Sequence, residues 1–327
     1  MSGQICVTTR DGFSRHAEEM LRPNDAWRTQ VVCPRLGASL REIADREVIV
    51  ARVDGVVAGR AILEAIYYPF AEVVNMEVAP HFRRQRVGSS LVEDMIRRAS
   101  EFGFLALFLQ TDLDNTGAQT LFSRNGFLPA QTGDMLRMIR LINYPAVFKF
   151  LRDHPLTQFQ SRSDQENWEF SWCDHVTKDE LRIGLSGGSC QGDSDGFGPG
   201  IRSFSLAEHD TTFDVEMACA KSAVTGEDIG TSVRISNKGE KEINGKCRLL
   251  LNAGCAPAAG NNGVECFTVA PKASVAFGLS TVITESFYAE PLTKSCSYCS
   301  VPIALEVSVG ETVFWLCAQV KLVCSTS

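Results

Sequence analysis

The chain has 327 residues, 44% of them hydrophobic and 22% charged, an ordinary globular composition whose length favours two domains. Charge is divided: residues 1–150 hold 18 Lys+Arg against 17 Asp+Glu, and residues 151–327 hold 14 against 22, which excludes nucleic-acid binding by bulk charge and mildly favours a cationic partner for the second half. No stretch is long and apolar enough to span a membrane, and the first residues, MSGQICVTTRDGF, lack a signal-peptide core.

Residues 5–9 read as a first strand and residues 14–21 as a helix stopped by Pro23. Residues 27–41 carry Pro34 and Gly37, which predicts short helices or a loop. Residues 47–53 and 56–65 flank Asp54-Gly55, the strongest hairpin signal in the chain. Residues 73–78 are an apolar run ended by Pro80, as a strand should be. Residues 83–88, RRQRVG, form a cationic turn with one glycine. Leu91, Val92, Met95, Ile96 and Ala99 recur at helical spacing until Gly103. Residues 105–109 read as another strand. Asp114 or Asn115 can cap the next helix, whose inner face is Ala118, Leu121 and Phe122 and which Gly126 ends. Residues 127–128 and 135–142 complete a sheet.

The pattern then changes. Residues 144–166 read as a linker with a short helix. Beyond them, strand-like runs at 168–172, 181–185, 213–217, 232–235, 247–251, 274–279, 303–307 and 313–320 are separated by Gly, Asn, Ser and Pro clusters. Such spacing predicts an all-β, immunoglobulin-like sandwich over residues 167–327.

A strand running through a tight turn into a helix offers free N–H groups at the helix start, with the helix dipole behind them, and suits a phosphate or pyrophosphate. Arg83, Arg84 and Arg86 add positive charge there, and Gly88 lets the backbone approach closely. A solvated basic surface turn would look the same in isolation.

The order of parts says more. Val78-Ala79-Pro80, then Arg83-Arg84-Gln85-Arg86-Val87-Gly88, then Ser89-Ser90-Leu91, and later Asn115 with Phe122-Ser123-Arg124-Asn125-Gly126-Phe127, give residues 5–142 motifs that resemble those of the GNAT superfamily of acyl-CoA-dependent N-acyltransferases. One departure lies in the turn, where Arg86 replaces the family's first glycine. The resemblance implies an α+β domain over residues 1–143, with a mixed, mostly antiparallel sheet flanked by helices. It also implies acetyl-CoA as co-substrate and a small-molecule or peptide amine as acceptor. Cofactor contact would fall to Met76, Val78, Arg83, Arg84, Gln85, Arg86, Val87, Gly88, Ser89, Ser90, Asn115 and Phe122. The thioester carbonyl would be held by N–H groups of residues 76–78, splayed from the strand at 105–109.

Glu72 and Glu77 are the candidate catalytic bases. Counted back from Gly88, Glu72 falls where histone-acetylating members of the family place their glutamate. Simple alternation puts Glu72 on one strand face with Val74 and Met76, and Glu77 on the other. Two family positions are altered: Gln110 stands where ribosomal-protein-acetylating members carry a glutamate, and Phe122 where many members carry a tyrosine acid. Tyr67, Tyr68, His81 and Ser123 are the polar groups nearby in sequence. Loss of the acid leaves a second reading open, a catalytically degenerate acyl-CoA-binding sensor or adaptor. In either reading the β domain would select the substrate, bind a partner or pair subunits as a homodimer.

An acyl-CoA site implies the cytoplasm, where the twelve cysteines would be reduced and mostly buried. Cys296 and Cys299 have metal-ligand spacing without a second close pair, and no metal is expected. Asp193-Ser194-Asp195-Gly196 has Phe204 where a calcium loop needs glutamate, so a glycine-rich loop is the expectation. Trp168 and Trp172 share a strand face and read as core, with an aromatic carbohydrate-binding surface as the other reading.

Overall fold

The computed structural model describes residues 5–9, 28–33, 39–44, 46–67, 70–132, 135–163, 167–186, 200–220, 222–224, 226–251, 255–260, 262–283 and 300–322. The chain divides into two compact units, Met1–Asn143 and Tyr144–Ser327. The expected helix at 14–21, the Cys296/Cys299 pair and the segment 193–196 lie outside the described residues.

The first unit contains β1 (Ile5–Thr9), β2 (Arg28–Cys33), β3 (Ser39–Ala44), β4 (Arg46–Val53), β5 (Val56–Tyr67), β6 (Phe70–Val78), α1 (Val87–Glu101), β7 (Ala106–Asp112), α2 (Thr116–Arg124), β8 (Leu128–Thr132) and β9 (Met135–Leu141). Seven strands form one sheet in the order β1-β4-β5-β6-β7-β9-β8. Every neighbouring pair is antiparallel except β6 and β7, which run parallel. The β4–β5 turn uses Asp54 and Gly55 at φ +50° and +81°, the paired positive values of a type I′ hairpin. Helix α1 buries Val87, Leu91, Val92, Met95 and Ala99. Gly59 makes that packing close: a Cβ there would stand 3.1 Å from both Leu91 and Val87 and 2.9 Å from the Glu77 carbonyl.

Residues 28–33 and 39–41 depart from the expected short helices or loop. They contribute the two-stranded pair β2–β3, with Arg28 opposite Ala44 and Cys33 opposite Ser39. The β-favouring Thr29, Val31, Val32 and Ile43 fall inside the strands, and the punctuating Pro34 and Gly37 fall between them.

The second unit begins with α3 (Pro145–Asp153), followed by β10 (Thr157–Ser163), β11 (Asn167–Asp174), β12 (Glu180–Ser186), β13 (Gly200–Glu208), β14 (Thr211–Cys219), β15 (Ser222–Ala223), β16 (Asp228–Asn237), β17 (Ile243–Leu250), β18 (Cys255–Pro257), β19 (Val264–Val269), β20 (Ser274–Ile283), β21 (Ser300–Val309) and β22 (Thr312–Leu322). An eight-stranded sheet runs β10-β11-β12-β13-β14-β16-β20-β18, and a five-stranded sheet runs β15-β22-β21-β17-β19. Phe204 of β13 stacks on Phe314 of β22 with ring centroids 3.9 Å apart, and Phe213 of β14 lies 6.1 Å from each, so the two sheets share an aromatic core. Immunoglobulin-like order is not confirmed: β10 to β14 follow one another as a consecutive antiparallel meander, whereas an immunoglobulin sandwich interleaves its strands between sheets.

Within the stretch expected as a linker, residues 144–163 carry α3 and β10 of this unit. Tyr144 donates its hydroxyl to the Trp315 carbonyl at 2.6 Å and meets the Trp315 ring edge-on at 5.7 Å, and β10 pairs along its whole length with β11. Trp168 and Trp172 are buried, so they are core residues and not a binding surface. Cys173, Cys219, Cys247, Cys255, Cys266 and Cys317 are free thiols. Cys247 and Cys317 are buried, and burial pushes both thiols up to about 12, while Cys266 is exposed. No helix among the described residues is long and apolar enough to cross a membrane.

Candidate functional site

The site starts where β6 leaves β7. Their parallel ladder pairs Phe70 with Ala106, Ala71 with Leu107 and Glu72 with Phe108, and β6 then runs on to Val78 with no further β7 position in register. Strand order and ladder thus leave a cleft between the C-terminal halves of two adjacent parallel strands.

On its other side β6 is bulged. Val74 opposes Ile62 and Glu77 opposes Arg60, so three steps on β6 match two on β5. Asn75 absorbs the extra step at φ +49°, in the left-handed region that asparagine tolerates better than most residues. Opposed residues share a sheet face, and Arg60 and Ile62, two apart, share one; therefore Val74 and Glu77 do too, with Glu72 beside them. The bulge corrects the simple alternation: Glu77 joins the face of Glu72, and Met76 turns to the face of α1. There Met76 Cε and Val78 Cγ2 stand 3.6 and 3.7 Å from the point a Cβ on Gly88 would occupy.

The two glutamates differ in setting. Glu77 accepts a hydrogen bond from Arg60 Nη2 at 3.1 Å and is 62% exposed. Glu72 is half-buried, level with the fully buried Phe108 where the strands part.

Beyond Val78, Pro80–Phe82 make a single tight helical turn. Arg84 and Arg86 then adopt φ +63° and +67°. The family's glycine position is thus occupied by an arginine in the conformation for which glycine is best suited. Arg86 immediately precedes α1 and makes no side-chain cap. The first intrahelical bond runs from the Ser90 N–H to the Arg86 carbonyl at 3.0 Å, which leaves the N–H groups of Val87, Gly88 and Ser89 as the donors of the helix start. Arg83 Nε donates to the Val78 carbonyl at 3.2 Å and Gln85 Nε2 to the His81 carbonyl at 2.8 Å, bracing the turn on the strand end. Arg83, Arg84, Gln85 and Arg86 are exposed, Ser89 and Ser90 half-buried. Val87 is buried against Gly59, so only its backbone can meet a ligand.

The two remaining expected contacts have structural duties. Asn115 Oδ1 accepts the Ala118 N–H at 3.1 Å and caps α2. Phe122 is buried, edge-on to Phe127 at 5.2 Å. Its neighbour Leu121 is the α2 residue that reaches the start of α1, with Cδ2 3.1 Å from the Gly88 Cβ point. Met76, Val78, Gly88 and Leu121 therefore converge, while Glu72 and Glu77 lie on the opposite face of β6. Sequence reasoning passed over Asn75 and the buried Arg137, and placed Leu121 only on the inner face of its helix and not at the site. Only Asn75 leaves a trace in the sequence, as one asparagine in an apolar run.

Such an arrangement presents backbone donors and three guanidinium groups to an anion, beside a cleft with a carboxylate at its base. Among the described residues no group of three or more His, Cys, Asp or Glu is placed to hold a metal ion.

Residues 15–127 match the model of the Acetyltransferase (GNAT) family. Similar solved structures include the PaiA N-acetyltransferase from Thermoplasma acidophilum in complex with coenzyme A, at 20% identity over 30% of this chain and 61% of that one with a TM-score of 0.29. Another is the IAA acetyltransferase from Bacillus cereus, at 15% identity over 42% of this chain and 100% of that one with a TM-score of 0.33. A third is a Bacillus subtilis acetyltransferase in complex with CoA, at 15% identity over 42% and 99% with a TM-score of 0.33. This chain spans less than two thirds of the first of these structures. No curated protein matches it. Residues 15–127 form an acetyltransferase domain of the GNAT family, and the second unit lies outside that match.

Proposed function

We propose that the first unit transfers an acetyl group from acetyl-CoA to a primary amine in the cytoplasm. The observation that carries this reading is the parting of β6 from β7 immediately after Glu72, next to the cationic turn and the open start of α1. The pyrophosphate would rest on the N–H groups of Val87, Gly88 and Ser89, with Arg83, Arg84 and Arg86 around it. Backbone N–H groups from Met76 to Val78 would polarise the thioester carbonyl. Glu72 would take the proton from the incoming ammonium, with Glu77 the second candidate. The amine nitrogen then attacks the carbonyl carbon, the C–S bond breaks, the nitrogen releases its surplus proton to solvent as the amide forms, and CoA leaves as a thiolate that picks up a proton from solvent.

Glu72 is the better base on position. It is half-buried at the fork of the strands, whereas Glu77 is 62% exposed. Its size-preserving substitution Glu72→Gln should lower turnover by roughly 10²–10⁴-fold with little change in acetyl-CoA affinity.

A second reading has its own observation. Phe122 stands at the acid position and is packed into the core against Phe127, so this domain could bind acyl-CoA as a sensor or adaptor without turnover. In both readings the β-rich unit selects the substrate, binds a partner or pairs subunits. Release of free thiol from acetyl-CoA across polyamines, aminoglycosides and peptide N-termini separates the two. Acetyl-CoA binding by calorimetry without turnover of any amine would favour the sensor.

A further inference from the structure

Ladder register places one unusual cation on the face of Glu72. Across β4, β5, β6, β7 and β9 a single row runs Arg46, Glu64, Glu72, Phe108, Ile139, with two acidic residues at adjacent positions. Two residues further along β7, Gln110 opposes Arg137 of β9, so Arg137 shares this face. Arg137 is only 3% exposed. A guanidinium stays charged at any ordinary pH, and a buried charge is tolerated where an opposite charge compensates it. Its central carbon lies 5.9 Å from the centroid of the Phe108 ring. The charged end therefore leans out of its own row and back over the residue that pairs with Glu72.

Among the described residues, the other charged residues on this face compete poorly for that role. Asp112 lies one row away on the side opposite Phe108 and is exposed. Glu77 is exposed and engaged by Arg60. Glu64 is set one strand further from β9, and β8, the other neighbour of β9, carries no acidic residue.

We infer that Arg137 is a positioning residue for Glu72: its buried guanidinium, laid over Phe108, keeps the Glu72 carboxylate ionised and fixed at the fork between β6 and β7. The consequence for catalysis rests on the acetyl-transfer reading, whereas the electrostatic contact stands apart from it.

The test follows the Glu72 carboxyl directly, by carbon-13 NMR on protein labelled at the glutamate side-chain carboxyl, with the resonance identified by its loss in Glu72→Gln. In Arg137→Met its titration midpoint should rise by about one pH unit or more relative to the unsubstituted protein, the effect of removing an opposite charge within a few ångströms. Arg137→Lys should move it less, and Asp112→Asn should leave it in place. An unmoved midpoint in a folded Arg137→Met overturns the inference. Should that variant fail to fold, the reverse measurement serves: the Arg137 Nη–H resonances should shift and exchange faster with solvent in Glu72→Gln, and unchanged resonances overturn the inference equally. Where an amine is turned over, the rising limb of kcat/KM against pH should move with the Glu72 midpoint. A shifted midpoint with no turnover in any protein leaves the contact standing and removes the acetyl-transfer reading instead.

Discussion

Glu77 and Arg60 meet across β5 and β6, Oε2 to Nη2 at 3.1 Å, only because the bulge at Asn75 turns Glu77 onto the face of Glu72. With Glu77 62% exposed, the pair is screened by solvent. Glu77→Gln should therefore lower stability by no more than about 1 kcal/mol and leave acetyl-CoA turnover within a few-fold of the unsubstituted rate. A pH–rate series on Glu77→Gln beside Glu72→Gln checks both statements. Turnover lost in Glu77→Gln and kept in Glu72→Gln would reverse the assignment of the base.

Arg86 holds a left-handed conformation at φ +67° at the entrance to α1. A glycine adopts that backbone without the steric penalty of a Cβ. Arg86→Gly should raise unfolding stability by about 0.5–1 kcal/mol, read as a higher denaturant midpoint. Arg86→Ala, which keeps the Cβ and removes the charge, should gain nothing. Both should weaken acetyl-CoA binding alike if the guanidinium faces the pyrophosphate, so calorimetry on the two variants separates backbone strain from charge.

Much of the first unit was legible because its signals are local. Asp54-Gly55 has the backbone freedom a two-residue hairpin requires, Asn115 can cap only the helix that follows it, and the apolar spacing from Leu91 to Ala99 buries one face of α1. What escaped depends on long-range pairing. Strand alternation assumes an uninterrupted count, and one extra residue at Asn75 reverses every face assignment beyond it. Phe122 and Leu121 are adjacent on one helix, and only the position of α1 decides which of them borders Gly88. Arg137 reads as an ordinary strand arginine until β7 and β9 are paired. In the second unit, Thr157–Ser163 reads as polar linker because its strand is defined by its partner β11, not by its own apolar content.

Gly88 tests the cleft. A Cβ there would lie 3.1 Å from Leu121 Cδ2, the mobile end of a side chain, and in ordinary contact with Met76 and Val78. Its backbone is not in the left-handed region, so Gly88→Ala should stay within about 1 kcal/mol of the original stability, a small gain in helix propensity offsetting the crowding. Gly88→Glu drives a longer, negative side chain between α1 and Leu121. It should cost about 1–3 kcal/mol and abolish acetyl-CoA binding by calorimetry. Undiminished affinity in that variant would remove the α1 start from the cofactor site, and the double variant with Leu121→Ala should recover stability without recovering binding.

In the second unit, acid sensitivity should centre on Asp174. The Val176 N–H at 2.8 Å is the main group holding its carboxyl below the usual carboxylate range. Burial opposes that effect, while the Thr177 N–H at 3.3 Å and the nearby His154 ring reinforce it. His154 Nδ1 lies 3.6 Å from a carboxylate oxygen of both Asp174 and Asp179, and His154 Nε2 lies 3.4 Å from one of Glu208, so the end of α3 is gathered onto β13 and the turn between β11 and β12. An unfolded chain returns Asp174 to a pKa of about 3.9, and the folded value is lower. The unfolded state therefore binds more protons in this window, and stability rises with pH through it. The contribution is fully present above the unfolded value and is lost as pH falls through the folded one. Asp174→Ala should lower the thermal midpoint at pH 7, where the carboxylate is ionised and its two backbone donors are satisfied. The gap between variant and original should narrow steadily below about pH 4, because protonation weakens the same hydrogen bonds in the original protein. It should not close completely, since a protonated carboxyl still offers its carbonyl oxygen to the Val176 N–H. Melting curves of both proteins from pH 7 to pH 3 measure the gap, and a gap that stays constant across that range would show that Asp174 acts through packing and not through its charge.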